Sequence, residues 1–229
     1  MIRWAVPFAL VSGLACSDLT EGAGGVVELE IRTPAFTTIE VGEALQLSAR
    51  ALDRDGNSVD VPISWQTPDA TVTVDPATGV ITGVAPGTGR VQALAGSLAS
   101  PLVSFTVIAR ADTLILIGDS ILTVAPEATV SAPLVTQLQS FSPAGPLPSR
   151  PVVYAVTSPP DVGPHSVELP GGVLADTVDT DLDGTVQGVT LSRVSGVATP
   201  DSAIVEVRAY RTRGTEVPGS GQRFIVRFQ

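Results

Sequence analysis

The strongest constraint in this sequence is a series of short alternating stretches over residues 37–95, each followed by a turn. In residues 45–52, every second side chain from Leu45 to Ala51 is apolar, and Gln, Ser and Arg lie between them. A period of two places alternate side chains on opposite faces of a β-strand. Short strands of this kind, separated by Gly, Asp and Pro turns, are typical of a β-sandwich.

Trp65 shares its strand parity with Ile63. We therefore expect the indole to lie between two sheets, where it fills a core otherwise made of small Val, Ala and Leu side chains. An exposed, ligand-binding tryptophan is the alternative. Gly56 lies between Asp55 and Asn57, and this triplet predicts a turn because glycine accepts a positive φ without steric cost.

Several motifs follow one another in a fixed order: Val41-Gly42-Glu43, Asp53-Arg54-Asp55-Gly56-Asn57, Ile63-Ser64-Trp65 and Gly83-Val84-Ala85-Pro86-Gly87-Thr88-Gly89. This order resembles the bacterial immunoglobulin-like (Ig-like) domain of group 2. The resemblance implies an Ig-like β-sandwich over residues 26–109. Modules of this kind are generally spacers and adhesive units of cell-surface proteins, so it also implies interaction rather than catalysis.

The second half of the chain predicts another sandwich over residues 110–229. It opens with the apolar run 114–117, which is typical of a strand covered on both sides, and about six further strands follow. Segments 150–154, 180–186 and 204–209 resemble the invasin-type (group 1) bacterial Ig-like domain. The fold prediction is therefore all-β, with two tandem Ig-like sandwiches. The short join between them predicts that the two abut.

The N-terminal sequence predicts an export signal. Arg3, an apolar run and Ala15 describe a signal peptide over residues 1–15, and the run is too short for a transmembrane helix. Cys16 lies where a bacterial lipoprotein carries its lipid, so we expect lipid attachment there, followed by a flexible tether over residues 16–25. Simple cleavage and an uncleaved anchor are the alternatives.

Composition excludes several classes of function. The formal charge is −10, with 13 basic residues against 23 acidic ones, which argues against general nucleic-acid binding and against adsorption to anionic lipid. The single cysteine excludes an intramolecular disulfide. We expect no cofactor and no transition-metal site, because the chain has a single histidine, His165.

Gly118-Asp119-Ser120 is similar to the nucleophile block of GDSL-type hydrolases. A serine nucleophile needs a general base, which that family supplies from an Asp-x-x-His pair. Three positions before His165 stands Val162 rather than Asp. We therefore interpret the motif as a turn, and we predict no catalytic residues.

An acidic segment containing Asp179, Asp181 and Asp183 fits the first half of a calcium-binding EF-hand loop. The twelfth position, which requires a bidentate Glu, is Thr190. We therefore predict a turn between strands, with weak surface binding of calcium as the alternative.

The C-terminal segment concentrates positive charge in an acidic protein. If residues 203–211 and 223–228 pair as a hairpin, one exposed face carries Arg208, Tyr210, Arg223, Ile225 and Arg227. Arg and Tyr are over-represented among residues that dominate interface energy. This set is the candidate interaction face, and a solvated strand face is the alternative.

These observations predict an exported, membrane-anchored, non-catalytic protein of the cell envelope that works through contacts with other proteins or surfaces. One alternative is an accessory subunit of an envelope membrane complex, including an energy-transducing one. A carbohydrate-binding module is the other, although exposed aromatic platforms are scarce in the sequence.

Overall fold

The computed structural model describes residues 25–32, 34–160 and 164–229, and every regular element within these ranges is a β-strand. The predicted all-β class is confirmed. The predicted signal peptide, Cys16 and almost all of the predicted tether lie outside the described residues. Within the described ranges, no helix has the length and apolar character needed to cross a membrane.

Eleven strands precede Ala109, and all the partners described for them lie in the same part of the chain: β1 (Glu28–Arg32), β2 (Thr38–Glu40), β3 (Ala44–Gln46), β4 (Ser48–Leu52), β5 (Ser58–Val59), β6 (Ser64–Gln66), β7 (Val72–Val74), β8 (Val80–Gly83), β9 (Gly87–Ala95), β10 (Leu98–Ala99) and β11 (Val103–Ile108). They form sheets in the orders β1-β4-β5, β3-β8-β7 and β10-β9-β11-β2, and β6 also pairs with β9. This is the first domain.

The segment predicted as one strand over residues 45–52 divides between two sheets. β3 pairs with β8, whereas β4 pairs with β1. Between them, the Leu47 amide donates to the carbonyl of Gly79 at 3.1 Å. The predicted alternation survives the change of sheet, because Leu47 and Ala51 are both buried. The apolar pattern therefore identified the buried face, although it did not reveal the change of partner.

Trp65 lies in the core of the first domain and is 6% exposed, which confirms the structural interpretation. It packs in the cluster that includes Phe105 and Ile81. Gly79 lies directly against the indole: a Cβ added there would come within 2.5 Å of Cε2 of Trp65. The turn residue and the tryptophan therefore fit each other, and a larger side chain at position 79 would displace the ring.

Eleven further strands follow Asp112, and their described partners also lie among themselves: β12 (Thr113–Leu116), β13 (Ile121–Val124), β14 (Thr136–Phe141), β15 (Ala144–Pro146), β16 (Pro151–Ser158), β17 (Val167–Glu168), β18 (Ala175–Asp179), β19 (Thr185–Val186), β20 (Ser192–Arg193), β21 (Ser202–Ala209) and β22 (Gln222–Phe228). The main sheet has the order β13-β22-β21-β16-β18, and β12-β14-β15, with β19 on β14, forms the facing layer. This is the second domain.

The core of the second domain centres on Tyr154, whose hydroxyl is 2.6 Å from that of Thr136 and donates to the carbonyl of Leu134 at 3.1 Å. Burial raises the pKa of this phenol to about 12. The prediction that residues 114–117 are covered on both sides is wrong. Leu114 is fully buried, but Ile117 is largely exposed, because β12 lies in a layer with one open face.

The two domains meet at a short linker that the second domain holds by hydrogen bonds. An Nη2 group of Arg150 donates to the carbonyl of Ala109 at 2.6 Å, and Nε of Arg211 donates to the carbonyl of Ala111 at 2.9 Å. Asp112 is buried and accepts a hydrogen bond from Nε of Arg110 at 2.6 Å. The linker is therefore fixed against the second domain, and the division at residues 109 and 110 stays a prediction.

A buried carboxylate joins the first domain to this arrangement. Glu40, at the end of β2, is 1% exposed. Its Oε1 lies 3.6 Å from Nη1 of Arg150, and its Oε2 lies 3.9 Å from Nε of Arg211. Oε1 is buried and accepts no hydrogen bond from the described residues. Burial raises the pKa of the Glu40 carboxyl, and the charge of Arg150 only partly opposes this rise.

We expect Trp65→Ala to destabilise the first domain by about 3–5 kcal/mol, as is typical when a buried aromatic side chain is removed. Urea unfolding followed by circular dichroism measures the change. Phe36→Ala is the matched control, because Phe36 is 60% exposed and its removal should have little effect. Equal stability of Trp65→Ala and the wild type would contradict the core assignment.

We expect Glu40→Gln to gain stability relative to the wild type as the pH rises. Because the folded-state pKa of Glu40 is raised, its contribution to stability is full below the unfolded-state pKa and is lost as the pH rises through the folded-state pKa. Glutamine does not ionise, so the difference in free energy of unfolding should shift towards the variant as the pH rises from about 4, near the pKa of an unfolded glutamate.

Urea unfolding of the first domain, followed by tryptophan fluorescence at each pH, gives this difference. Glu127→Gln removes an exposed carboxylate and controls for net charge. A difference between Glu40→Gln and the wild type that stays constant over this range would contradict the assignment.

Candidate interaction face

Strands β21 and β22 form the predicted antiparallel pair. The register places Glu206 opposite Arg223 and Ile204 opposite Ile225. The inward side chains of both strands, among them Phe224, are buried in the core. Residues that lie directly opposite each other share a face. The outer face of this pair is therefore the surface on which the predicted interaction residues lie.

The structure brings four of the five predicted residues together on this face. Arg223, Ile225 and Arg227 alternate along β22, and Arg208 lies on β21 two positions beyond Glu206. Tyr210 follows the end of β21, is 42% exposed and forms an isolated bridge with Glu216. It lies at the edge of the group, where the chain leaves the sheet.

The arginines of this face are largely neutralised by their neighbours. Glu206 accepts from Nε of Arg208 at 2.7 Å and from Nε of Arg223 at 3.1 Å. Arg208 also pairs with Glu216. Hydrogen bonds from Arg208 and Arg223 lower the pKa of the Glu206 carboxyl. Within the described part of the chain, Arg227 forms no ion pair, so it carries the uncompensated charge of the face.

Two arginines that contribute to the C-terminal positive charge lie away from the outer face of β21 and β22. Arg211 lies against the linker and Glu40, and Nε of Arg213 pairs with Glu43 at 2.8 Å. Both belong to the segment between β21 and β22 and point towards the first domain. The positive charge counted from the sequence is therefore divided between the outer face and the junction.

Sequence reasoning identified Ile225 but missed the two isoleucines beside it. Strand β13 pairs in parallel with β22 and places Ile121 beside Ile225, which lies opposite Ile204. Three isoleucines therefore lie side by side across three strands, with Ile121 at the sheet edge and 48% exposed. The parity of Ile204 with Glu206 was a signal in the sequence. We call these three residues, with Arg208, Arg223 and Arg227, the arginine–isoleucine face.

The acidic segment proposed as a calcium loop is a turn between β18 and β19. Oδ1 of Asp181 and Oδ1 of Asp183 both accept from the amide of Thr185, at 2.9 and 3.1 Å. Gly184 has a φ of +74°, and a Cβ there would lie 2.7 Å from the carbonyl oxygen of Leu138. The carboxylates therefore cap their own turn. The described residues contain no group of three or more His, Cys, Asp or Glu arranged to hold a metal.

The hydrolase-like motif is likewise part of strand pairing. The carbonyl of Ser120 accepts from the amide of Ile225 at 2.8 Å, which positions the start of β13. His165 lies in the loop before β17 and lines a small cavity with Pro159, Pro164 and Leu174. Ser120 does not line that cavity.

Residues 31–106 match the model of the family described as bacterial Ig-like domain (group 2). The chain contains a group 2 bacterial Ig-like domain. The match lies within the first domain and includes β2 to β10. The similarity of the second domain to group 1 modules stays a prediction. No curated protein sequence matches the chain significantly.

Several solved structures are similar to the chain. The adhesin InvE of Yersinia pseudotuberculosis is 15% identical over 91% of this chain, with a TM-score of 0.42, and the chain spans 61% of its length. The fibronectin(III)-like modules of Clostridium thermocellum CbhA are 17% identical over 87% of this chain and 92% of theirs, with a TM-score of 0.39. Domains 4 and 5 of the S-layer protein SbsC are 17% identical over 89% of this chain and 98% of theirs, with a TM-score of 0.34.

Proposed function

We propose that the protein is a non-catalytic contact module of the cell envelope that binds a protein partner through the arginine–isoleucine face. The observation that carries this proposal is the row formed by Ile121, Ile225 and Ile204 on the outer surface of the main sheet. The group 2 Ig-like domain agrees with it, because modules of this type generally serve contact rather than catalysis.

The outer face of an antiparallel sheet usually carries polar side chains, because it meets water. Here an apolar row crosses three strands, with Arg223 on one side of Ile225 and Arg227 on the other. An apolar centre with arginines at its rim matches the composition of protein interfaces, where Arg is enriched and Lys is depleted. Ile121 is 48% exposed, whereas Ile204 and Ile225 are half-buried, and a partner would remove their remaining exposed surface from water.

The charges of the face select the kind of partner. Arg208, Arg223 and Arg227 outnumber Glu206 and Glu216, so contact of this face with a second copy would bring together two surfaces of like charge. A partner whose apolar surface places a carboxylate against Arg227 fits this face better than a second copy does. Because Glu206 already holds two of the arginines, we expect the apolar row to supply most of the affinity.

The face suits protein better than carbohydrate. Sugar-binding platforms usually present the flat surface of Trp or Tyr. Among the described residues around the face, the one aromatic side chain is Tyr210, which stands at its edge. Both the adhesive role and the role of a subunit in an envelope membrane complex use protein contact, and they differ in whether the partner remains bound when the membrane is solubilised.

We further propose that the protein is exported and anchored by lipid on Cys16. The proposal rests on the N-terminal sequence, in which an apolar segment is followed by the single cysteine of the chain. The lipid chains would hold the module at a membrane surface, because each buried methylene contributes about 0.8 kcal/mol. The partner is then a protein of the same envelope.

The double variant Ile225→Ser, Arg227→Glu should weaken partner binding by roughly 30-fold or more, which is the loss expected when a dominant interface residue is removed. Neither residue carries an ion pair within the described structure, so the fold should be unchanged. Envelopes solubilised in mild detergent are tested for stoichiometric co-purification of integral subunits with each variant. Stable co-purification with the wild type identifies a complex subunit, whereas its absence favours the adhesive role.

Leu182→Ser is the matched control, because Leu182 is 90% exposed in the turn before β19. It removes a more exposed apolar side chain away from the face and should leave binding intact. Equal co-purification by the wild type, the control and the folded double variant would rule out the arginine–isoleucine face.

Cys16→Ser should release the protein from the membrane into the soluble envelope fraction, because serine accepts no thioether-linked lipid. Fractionation and N-terminal mass analysis measure the result, and Ser17→Ala is the control that leaves the cysteine in place. A variant that remains in the membrane with an intact N-terminus would show that an uncleaved anchor holds it.

A further inference from the structure

A cleft lies between the two domains on the side of the loop that joins β21 and β22. The first domain, the linker and the second domain all contribute to its walls. It is lined by Glu40, Gly42, Glu43, Arg110, Arg211, Arg213 and Thr215. Three guanidinium groups and two carboxylates therefore meet in one depression, so its lining carries a formal charge of about +1 in a protein whose formal charge is −10.

Two of these arginines keep unused hydrogen-bond donors. Arg110 uses Nε to reach Oδ1 of Asp112, and Arg211 uses Nε to reach the carbonyl of Ala111. Nη2 of Arg211 lies 3.9 Å from the same Asp112 oxygen, too far for a hydrogen bond. The terminal amino groups of both side chains donate to no acceptor among residues 25–32, 34–160 and 164–229.

Two of the three carboxylates in or beside the cleft accept hydrogen bonds from the fold. Glu43 accepts from the amide of Glu40 and pairs with Arg213, both at 2.8 Å. Asp112 accepts from the amide of Phe141 with its second oxygen, at 2.7 Å. Glu40 is 1% exposed, and its buried Oε1 accepts no hydrogen bond from the described residues. Among the described residues, none of the three carboxylates accepts a hydrogen bond from the terminal amino groups of Arg110 or Arg211.

We propose that this cleft is a carboxylate-binding site, in which Arg110 and Arg211 together hold an acidic group of another protein. A guanidinium presents a planar fork of donors that matches the two oxygens of a carboxylate. Oδ1 of Asp112 lies within 4 Å of both guanidiniums and so keeps the two forks side by side. This proposal does not depend on the arginine–isoleucine face.

Gly42 lines the cleft beside Arg110. Gly42 has a φ of +78°, and a Cβ there would lie 3.4 Å from Nη1 of Arg110. Because Arg110 belongs to the linker and Arg211 to the second domain, the two forks face the same space while the linker stays docked. A carboxylate bound to both would therefore also strengthen the junction.

The test uses the purified full chain and two short probes. One is a tetraglutamate peptide with both ends blocked, and the other is an N-acetylated dialanine with a free C-terminal carboxylate. Titration is followed by the ¹H–¹⁵N signals of the arginine Nε–H groups. We expect the signals of Arg110 and Arg211 to shift with saturation for one probe or both, and the stronger probe identifies the source of the carboxylate.

Arg110→Gln should reduce the affinity for the stronger probe by roughly tenfold, the effect of losing a hydrogen bond between charged groups. Arg110→Lys keeps the charge but not the fork and should recover only part of the affinity. Arg227→Gln is the control that removes one arginine from the other candidate surface. The proposal is overturned if neither probe shifts these signals at millimolar concentration, or if Arg227→Gln and not Arg110→Gln abolishes the shift.

Discussion

Ionic contact at a buried carboxylate organises this molecule. Glu40 lies at the end of the edge strand β2, where the first domain meets the second, and a charged group there is unfavourable unless cations and donors compensate. Arg150 and Arg211 approach the carboxylate from the second domain, at 3.6 and 3.9 Å, and they offset only part of the cost of burial, so the pKa of Glu40 is raised. The first domain therefore depends on its neighbour for cations that partly balance one of its own buried groups.

This contact accounts for part of the positive charge in the second half of the chain. Three of the thirteen arginines, at positions 150, 211 and 213, are directed at the first domain or the linker. Arg208 and Arg223 are bound to Glu206. In the C-terminal segment, what remains available is Arg227 on the outer face and the spare donors of Arg211 in the cleft. The C-terminal segment therefore offers few charges for partner recognition.

Local pattern predicted much of the fold. Alternation identified the buried parity of Leu47 and Ala51, the inward direction of Trp65 and the pairing of β21 with β22. These features depend on a period of two and on turn residues, which a single sequence displays directly. The acidic segment was also correctly interpreted as a turn, because the position that requires a ligand in a calcium loop is Thr190.

The remaining features of the fold depend on which strands become neighbours. The local pattern of a single sequence does not show these pairings directly. The exchange of sheets at Leu47 leaves the apolar pattern unchanged, so the alternation does not reveal the exchange. Ile121 directly follows the motif Gly118-Asp119-Ser120, and its position beside Ile225 follows from a parallel pairing across about a hundred residues. The partners of Arg211 were hidden for the same reason, because its contacts lie in the linker and the first domain.

The linker shows how such a junction is constrained over evolution. The groups that bind Arg150 and Arg211 are the main-chain carbonyls of Ala109 and Ala111, which every amino acid possesses. A substitution at either position therefore keeps the acceptor, but Ala111 is 2% exposed in the core, so only a small side chain fits there. Insertion or deletion of a single residue moves the following carbonyls by about 3.5 Å, farther than a hydrogen bond tolerates. The length of the linker is therefore fixed by main-chain hydrogen bonds, and the size of residue 111 is fixed by packing.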